Sequence, residues 1–208
     1  MAFQDDSSIG KQRRRRVLDD IAPAFESGGR IKRVFDIVVA TGGLVLLAPI
    51  ILVASIAIKL DSRGPIFSRK IVYGYNNRAF RAIKFRSVAA CAEADRNSSH
   101  VTRVGRVLRQ TGIDELPQLL NVLRGEMSIV GPRPHAYHQD LFENRLMPLL
   151  DGVKPGLTGW AQITESREGF WTLEQRIDDD LYYIRNWTLW LDIKIILMTL
   201  VLNTSRER

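Results

Sequence analysis

Ile37-Val-Val-Ala-Thr-Gly-Gly-Leu-Val-Leu-Leu-Ala-Pro49-Ile-Ile-Leu-Val-Ala-Ser-Ile-Ala-Ile58 runs for 22 residues without a charge. As a straight helix rising about 1.5 Å per residue it reaches roughly 33 Å, enough to cross the hydrocarbon core of a bilayer. It starts well inside the chain and has no small-residue cleavage pattern before Lys59, so it reads as a retained segment and not a signal peptide. Two features oppose a simple crossing. Pro49 sits near the middle, where it lacks a donor and clashes with the carbonyl four residues back, which predicts a kink. Arg30, Lys32 and Arg33 precede the segment while Lys59, Arg63, Arg69 and Lys70 follow it, so the positive-inside tendency draws both ends to the cytoplasm. A helix that dips into one leaflet and returns meets both conditions. A single spanning helix is the alternative.

The remaining sequence is expected to supply one domain around this anchor. At 208 residues and 45% apolar composition the chain can build one ordinary core. Lys and Arg outnumber Asp and Glu by 30 to 23, which favours anionic partners such as phospholipid headgroups, nucleotide diphosphates or nucleic acid without choosing among them. Cys91 is the lone cysteine, which excludes an internal disulfide and a multi-cysteine zinc site and fits a reducing, cytosol-facing setting. Residues 1–29, with the Arg13 to Arg16 run and Gly28-Gly29, read as a mobile or interfacial arm, touching anionic lipid or simply solvated. Residues 30–60 are expected to form the membrane helix and 61–208 a cytoplasmic-face domain that includes the C-terminal helix.

Ile66 to Val72 and Phe80 to Arg86 are rich in β-branched and aromatic residues and are separated by Gly74, Asn76 and Asn77, which predicts a hairpin. Near the other end, Trp187 to Leu202 is apolar but contains Asp192 and Lys194. It reads as an interfacial helix with Leu189, Ile193, Ile196 and Leu200 on one face, or as an amphipathic helix packed on the core. The expected fold class is mixed α/β and mostly helical, a monotopic membrane protein with a re-entrant N-terminal helix, a small β-hairpin and interfacial amphipathic helices.

The chemistry concentrates in Arg109-Gln-Thr-Gly-Ile-Asp114-Glu115-Leu-Pro117-Gln-Leu-Leu-Asn-Val-Leu. Leu116, Leu119, Leu120 and Leu123 follow helical spacing and predict one buried face, which puts Pro117 in the first turn. Asp114 and Glu115 then stand at the positive end of the helix, where ionised carboxylates are favoured and phosphate is attracted. An ionised Asp can attack phosphorus, and two adjacent acids can hold Mg²⁺ against a diphosphate; plain helix capping is the ordinary use of such acids. Downstream, Met127 to Val130 predicts a short strand ending in Gly131-Pro132-Arg133-Pro134, where flanking prolines restrain a guanidinium suited to phosphate. Lys84 and Arg86 alternate with Phe85, so both cations could face one side of a strand. His135 and His138 have no companion His or Cys nearby, which makes zinc improbable, and no Walker loop or Gly-x-Gly-x-x-Gly fingerprint is present.

From Lys32 to Leu200 the chain resembles the bacterial sugar transferases, the monotopic phosphoglycosyl transferases that begin exopolysaccharide, capsule and glycan assembly. The likeness rests on Lys32-Arg33-Val-Phe-Asp36, Gly64-Pro65-Ile-Phe67, Lys84-Phe85-Arg86-Ser87, Thr102-Arg-Val-Gly105-Arg-Val-Leu-Arg109, Asp114-Glu115-Leu-Pro117-Gln through Gly131-Pro-Arg-Pro134, Lys154-Pro-Gly156-Leu-Thr-Gly159-Trp-Ala-Gln162 and Asp180-Leu-Tyr-Tyr183 to Leu191-Asp192. The resemblance implies a membrane helix broken at Pro49, although Ala48 stands where relatives often carry Ser, and neither Thr41 nor Ser55 is expected to replace that hydroxyl. It implies that Asp114 attacks the sugar-bearing phosphate of a UDP-sugar, releasing UMP, and that undecaprenyl phosphate then takes the sugar phosphate from the enzyme. Glu115 and Mg²⁺, the metal held by Asp114 and Glu115, would neutralise charge or position the acceptor. Lys84, Arg86, Arg109 and Arg133 would bind phosphate, and Thr158, Gln162, Asp180 and Tyr183 are further substrate-binding candidates. The stretch after Gln162 is expected to be a sugar-selecting loop.

Pro134-His135-Ala136 and Gly159-Trp160-Ala161-Gln162 look most like members using UDP-glucose, with UDP-galactose next and N-acetylated sugars open. The implied setting is the cytoplasmic face of a bacterial inner membrane, in contact with phospholipids, as a homodimer by default, with no nucleic-acid partner. Rival readings are a non-catalytic membrane scaffold of a polysaccharide assembly complex and a membrane-tethered nucleic-acid binder.

Overall fold

A computed structural model of the chain describes residues 6–89, 101–134, 150, 152–168 and 172–205, with side chains at all of these except 6–28, 166–168, 173–174 and 203–205. Helix α1, Asp6–Asp61, carries the long apolar segment, continues back through most of the expected N-terminal arm and stays helical through Pro49. Among the described residues, Gly29–Asp61 is the one helix long and apolar enough to cross a membrane. Its two sides differ. Lys32, Asp36, Ala40, Ala54 and Ile58 are buried, with Gly43, Leu44, Leu47 and Ile51 half-buried between them, a stripe at helical spacing. Val34, Val38, Val45, Leu46, Leu52, Val53 and Ile56 point outward and are exposed. Ser55 Oγ donates to the Ile51 carbonyl, so it does not serve the Val45 carbonyl that Pro49 leaves without its helical donor.

After the helix the chain turns into the expected hairpin, β1 (Phe67–Tyr73) and β2 (Ala79–Phe85), antiparallel from Phe67 opposite Phe85 to Tyr73 opposite Ala79. The turn contains a short 3-10 helix, Tyr75–Asn77, in which Asn76 and Asn77 take φ of 54° and 53°. Asn tolerates that left-handed backbone better than other side chains do, which is how the sequence marks the reversal. Helix α2 (Arg103–Thr111) is capped by Thr102, whose Oγ1 accepts the Gly105 N–H. A 3-10 segment, Ile113–Gln118, leads without a break into α3 (Leu119–Arg124). Strands β3 (Ser128–Val130) and β4 (Gly156–Thr158) pair in parallel, followed by α4 (Trp160–Glu168), α5 (Leu173–Arg185) and α6 (Leu189–Ser205). The architecture is mostly helical with two small sheets.

Two apolar clusters hold these elements on the inner stripe of α1. The larger joins Ala40 to Leu119, Val122, Met127, Ile129, Val130, Ile177, Leu181, Ile184 and Ile195. The smaller joins Ala54 and Ile58 to Phe85 and Leu108. Both ends of the membrane segment are therefore docked on the same body. The face expected on α6 is corrected: Asp192 and Ile195 are fully buried, while Trp190, Leu197, Leu200 and Val201 are the exposed stripe. The reason is that Asp192 is paired inside the protein, which turns the helix so that its side lies against the core.

Candidate active site

Gly112 ends α2 and begins the 3-10 segment in a left-handed conformation, φ 71°. Only glycine adopts that backbone without penalty, and the reversal brings Arg109, in the last turn of α2, back toward Asp114 and Glu115 in the first turn of the next element. The expected α-helical start is replaced by the tighter 3-10 winding, with the Glu115 N–H donating to the Gly112 carbonyl at 3.2 Å. This changes the buried face. Each 3-10 residue advances by about 120° instead of about 100°, so Pro117, Gln118, Leu119, Asn121 and Val122 are buried and Leu120, expected inside, is exposed.

Lys84, on β2, forms an ion pair and hydrogen bond with Glu115. The Asp114 carboxyl lies above the usual carboxylate range because burial disfavours its charge and Glu115 adds to this, against the attraction of Lys84 and Arg109. Asp114, Glu115, Lys84 and Arg109 are thus brought together. The supports of the two cations are buried polar contacts. Asn121, fully buried, accepts the Ile83 N–H at 3.0 Å and donates to the Arg81 carbonyl at 2.8 Å and to Glu126 at 2.7 Å, which fixes β2 on the dyad-bearing run. Arg109 Nε donates to Ser87 Oγ at 2.7 Å. Gly105 lets α2 approach that close, since a Cβ there would lie 2.1 Å from the Ser87 carbonyl oxygen.

Arg86 is not brought to this group. β2 ends at Phe85 and the guanidinium turns inward, 2% exposed, to donate to the carbonyls of Ser62 and Arg63 and to Ser62 Oγ. It ties down the turn that follows α1 by supplying donors to that turn's carbonyls. Arg133 is exposed just after β3, and among the described residues no bond or charge interaction joins it to the dyad. Thr158, Asp180 and Tyr183 are turned into the interior: Thr158 Oγ1 meets Thr199 Oγ1, Asp180 is 1% exposed, and Tyr183 donates to Asp192. Gln162 is half-buried on α4. The expected sugar-selecting loop after Gln162 is helical through Glu168, and His135 and His138 lie outside the described residues.

Other polar residues matter more than sequence spacing revealed. Asp192 accepts from Lys32 Nζ at 2.8 Å, Tyr183 Oη at 2.8 Å and Trp187 Nε1 at 3.2 Å, joining α6 to the first turn of the membrane segment. Arg33 and Asp36 on that same turn reach α3 and β3. The motifs Lys32-Arg33-Val-Phe-Asp36 and Leu191-Asp192 marked these residues in the sequence without announcing their partners. As for a metal, no group of three or more His, Cys, Asp or Glu occurs among the described residues. The adjacent carboxylates of Asp114 and Glu115 suit Mg²⁺, which commonly takes one or two protein carboxylates and completes its shell with substrate phosphates and water.

The profile of a family described as bacterial sugar transferase matches residues 28–206. The chain belongs to the bacterial sugar transferase family. Within the family it is similar to a UDP-glucose:undecaprenyl-phosphate glucose-1-phosphate transferase of Caulobacter vibrioides, 47% identical over 180 residues that cover 81% of this chain and 67% of that protein. An undecaprenyl-phosphate glucose phosphotransferase of Komagataeibacter xylinus is 45% identical over 185 residues, 81% of this chain but 35% of that protein. The exopolysaccharide production protein PSS of Rhizobium leguminosarum bv. phaseoli is 38% identical over 194 residues, 86% of this chain and 97% of that protein. This sugar transferase therefore spans about a third of one relative and nearly the whole of another.

Proposed function

We propose that the chain transfers glucose-1-phosphate from UDP-glucose to undecaprenyl phosphate, releasing UMP, at the cytoplasmic face of a bacterial inner membrane, as the first step of an exopolysaccharide or related glycan. The observation that carries the reading is the Asp114–Glu115 pair held beside Lys84 and Arg109. The names of the similar proteins favour glucose over galactose or an N-acetylated sugar.

An oxygen of the Asp114 carboxylate attacks the phosphorus that bears the sugar. The bond from that phosphorus to the bridging oxygen breaks, and UMP leaves with the electron pair. The resulting phosphosugar–aspartate is attacked by an oxygen of the lipid phosphate, which forms the polyprenyl diphosphate sugar and regenerates the carboxylate. One nucleophile thereby serves a soluble donor and a lipid acceptor in turn. Lys84 neutralises Glu115 beside the nucleophile, and Arg109, anchored by Ser87, meets the charge of the transferred phosphoryl group. Asp114 and Glu115 would hold Mg²⁺, which supplies further stabilisation of phosphate charge when bound.

Monotopic placement is part of the proposal. Lys32, Asp36 and Ala40 at one end of the segment and Ala54 and Ile58 at the other pack on one body, whereas the outward side presents large apolar residues. A helix spanning the bilayer would carry its two ends to opposite sides, so docking of both ends supports a helix that enters one leaflet and returns, with Pro49 at the bend. Trp190, Leu197, Leu200 and Val201 of α6 would rest at the headgroup level. A homodimer is the default for such a surface enzyme. Incubation with UDP-glucose, Mg²⁺ and undecaprenyl phosphate should release UMP and form the lipid product, and Asp114→Asn should abolish both. Normal turnover by that variant refutes the nucleophile assignment.

A further inference from the structure

Arg33 and Asp36 lie three residues apart on α1, hence on one side of a single helical turn. Arg33 donates from Nη1 to the Val122 carbonyl at 2.6 Å and from Nη2 to the Leu123 carbonyl at 2.7 Å. These are carbonyls of the last turn of α3, where the Val122 carbonyl also accepts the Gly125 N–H at 3.0 Å, and the front of the same run bears Asp114 and Glu115. Asp36, 2% exposed, accepts from Ser128 Oγ and from the Ile129 N–H, each at 3.0 Å. Strand β3 so held runs directly into Gly131-Pro132-Arg133. On the outward side of this turn Val34, Ile37 and Val38 are 61%, 40% and 64% exposed. A single turn thus presents apolar surface on one side and, on the other, clamps the dyad-bearing run through Arg33 and the neighbouring strand β3 through Asp36.

We propose that Asp36, together with Arg33, is a positioning residue that sets the depth of Asp114 relative to the lipid surface, and so governs the second, lipid-dependent half of the reaction. The inference rests on the proposed two-step transfer. The two substrates differ in what they demand of depth. A soluble nucleotide sugar reaches the carboxylate at whatever height it stands. The phosphate of a polyprenyl acceptor is confined to the headgroup layer, and a misplacement of about 1 Å between reacting groups can reduce a rate by about a hundredfold. Asp36 is suited to the task because its carboxylate joins the membrane segment to backbone and not merely to another flexible side chain.

The test uses the full chain in liposomes of anionic phospholipid, without undecaprenyl phosphate for the first half-reaction and with it for the second, and with Asp36→Asn and Ser128→Ala as variants. UMP released in a single turnover from UDP-glucose alone reads the first half-reaction. Transfer to the embedded acceptor reads the second, and transfer to a short-chain polyprenyl phosphate dispersed in detergent provides rescue. Asp36→Asn should keep UMP release within about twofold, lose about tenfold or more in transfer to the embedded acceptor, and recover with the dispersed one, as loss of register between reacting groups requires. Ser128→Ala should move in the same direction by less, and it decides the matter if Asp36→Asn does not fold. Equal loss in both half-reactions, or unimpaired transfer within the bilayer, overturns the depth-setting role while leaving the transferase reading intact. A wild-type protein that makes lipid product without ever releasing UMP from donor alone overturns the two-step reading and this inference with it.

Discussion

Replacing Asp180 by Asn should make the protein more stable, and only above a definable pH. Asp180 lies on α5 with 1% of its surface exposed, and its Oδ2 has no hydrogen-bond partner. Burial pushes its pKa from 3.8 up to about 7, against the attraction of Arg176 and with added repulsion from Asp179. Between these two values the folded protein retains a proton that the unfolded chain has released, so stability falls as pH rises through the window and the full penalty is present above about 7. A gap of about 3 pH units at about 1.4 kcal/mol each gives a penalty on the order of 4 kcal/mol. Asn has nearly the same volume and no charge to desolvate. At pH 8, Asp180→Asn should therefore raise the melting temperature by roughly 10 °C, taking about 2–4 °C per kcal/mol for a chain of this size, whereas at pH 4 the two proteins should melt together. Thermal unfolding followed by tryptophan fluorescence in detergent, at pH values from 4 to 8, reads the difference directly. An equal gain at every pH, or a loss at pH 8, refutes the argument from desolvation. Because the side chain is enclosed, the KM for UDP-glucose should not change; a large rise would return Asp180 to the substrate-binding set.

Lys84 and Arg86 should separate cleanly. Lys84→Ala removes the cation beside Glu115 and should lower the rate of UMP release by roughly a hundredfold with little change in melting temperature, whereas Arg86→Ala strips three hydrogen bonds from the turn that follows α1 and should cost about 2–4 kcal/mol of stability at a nearly unchanged KM. Denaturation and kinetics on the same preparations distinguish the two, and a reversal of roles would show that Arg86 swings out to substrate. For the buried pair Lys32–Asp192, each single change, Lys32→Met or Asp192→Leu, should destabilise by roughly 3–5 kcal/mol by stranding a charge, and the double variant should regain much of that loss. Additive losses in that cycle would mean that the pair is not coupled.

The elements that were legible in the sequence are those whose signals are local. The hairpin could be read because β-branched and aromatic residues flank Gly74, Asn76 and Asn77, and each Asn does adopt the left-handed backbone of the turn. Asp114 and Glu115 could be read because the motif around them is dense, and Lys84 because strand spacing put it opposite to Phe85. What escaped was whatever depends on a distant partner. Asp192 argued for an interfacial helix as long as its charge was assumed to seek water, but Lys32, 160 residues away, meets it in the interior. Arg33 read as one more basic residue at a membrane boundary, and nothing in its neighbourhood announced the carbonyls of Val122 and Leu123. Arg86 kept the alternation of a strand that in fact stops one residue earlier. The 3-10 winding of Ile113–Gln118 is likewise invisible to a periodicity search tuned to the α-helix, and the misplacement of Leu120 follows from it.

Gly112 is the single residue between the helix that carries Arg109 in its last turn and the 3-10 segment that carries Asp114 in its first. Its φ of 71° means that any other side chain would have to be forced into a backbone that disfavours it by roughly 1–2 kcal/mol. That penalty is small against the stability of a folded domain, so a substitution here would leave a well-formed protein. The angle between guanidinium and carboxylate would relax instead. Such a variant would pass every check of folding and fail at the bench, and lesions at this joint would be mistaken for damage to the chemistry itself.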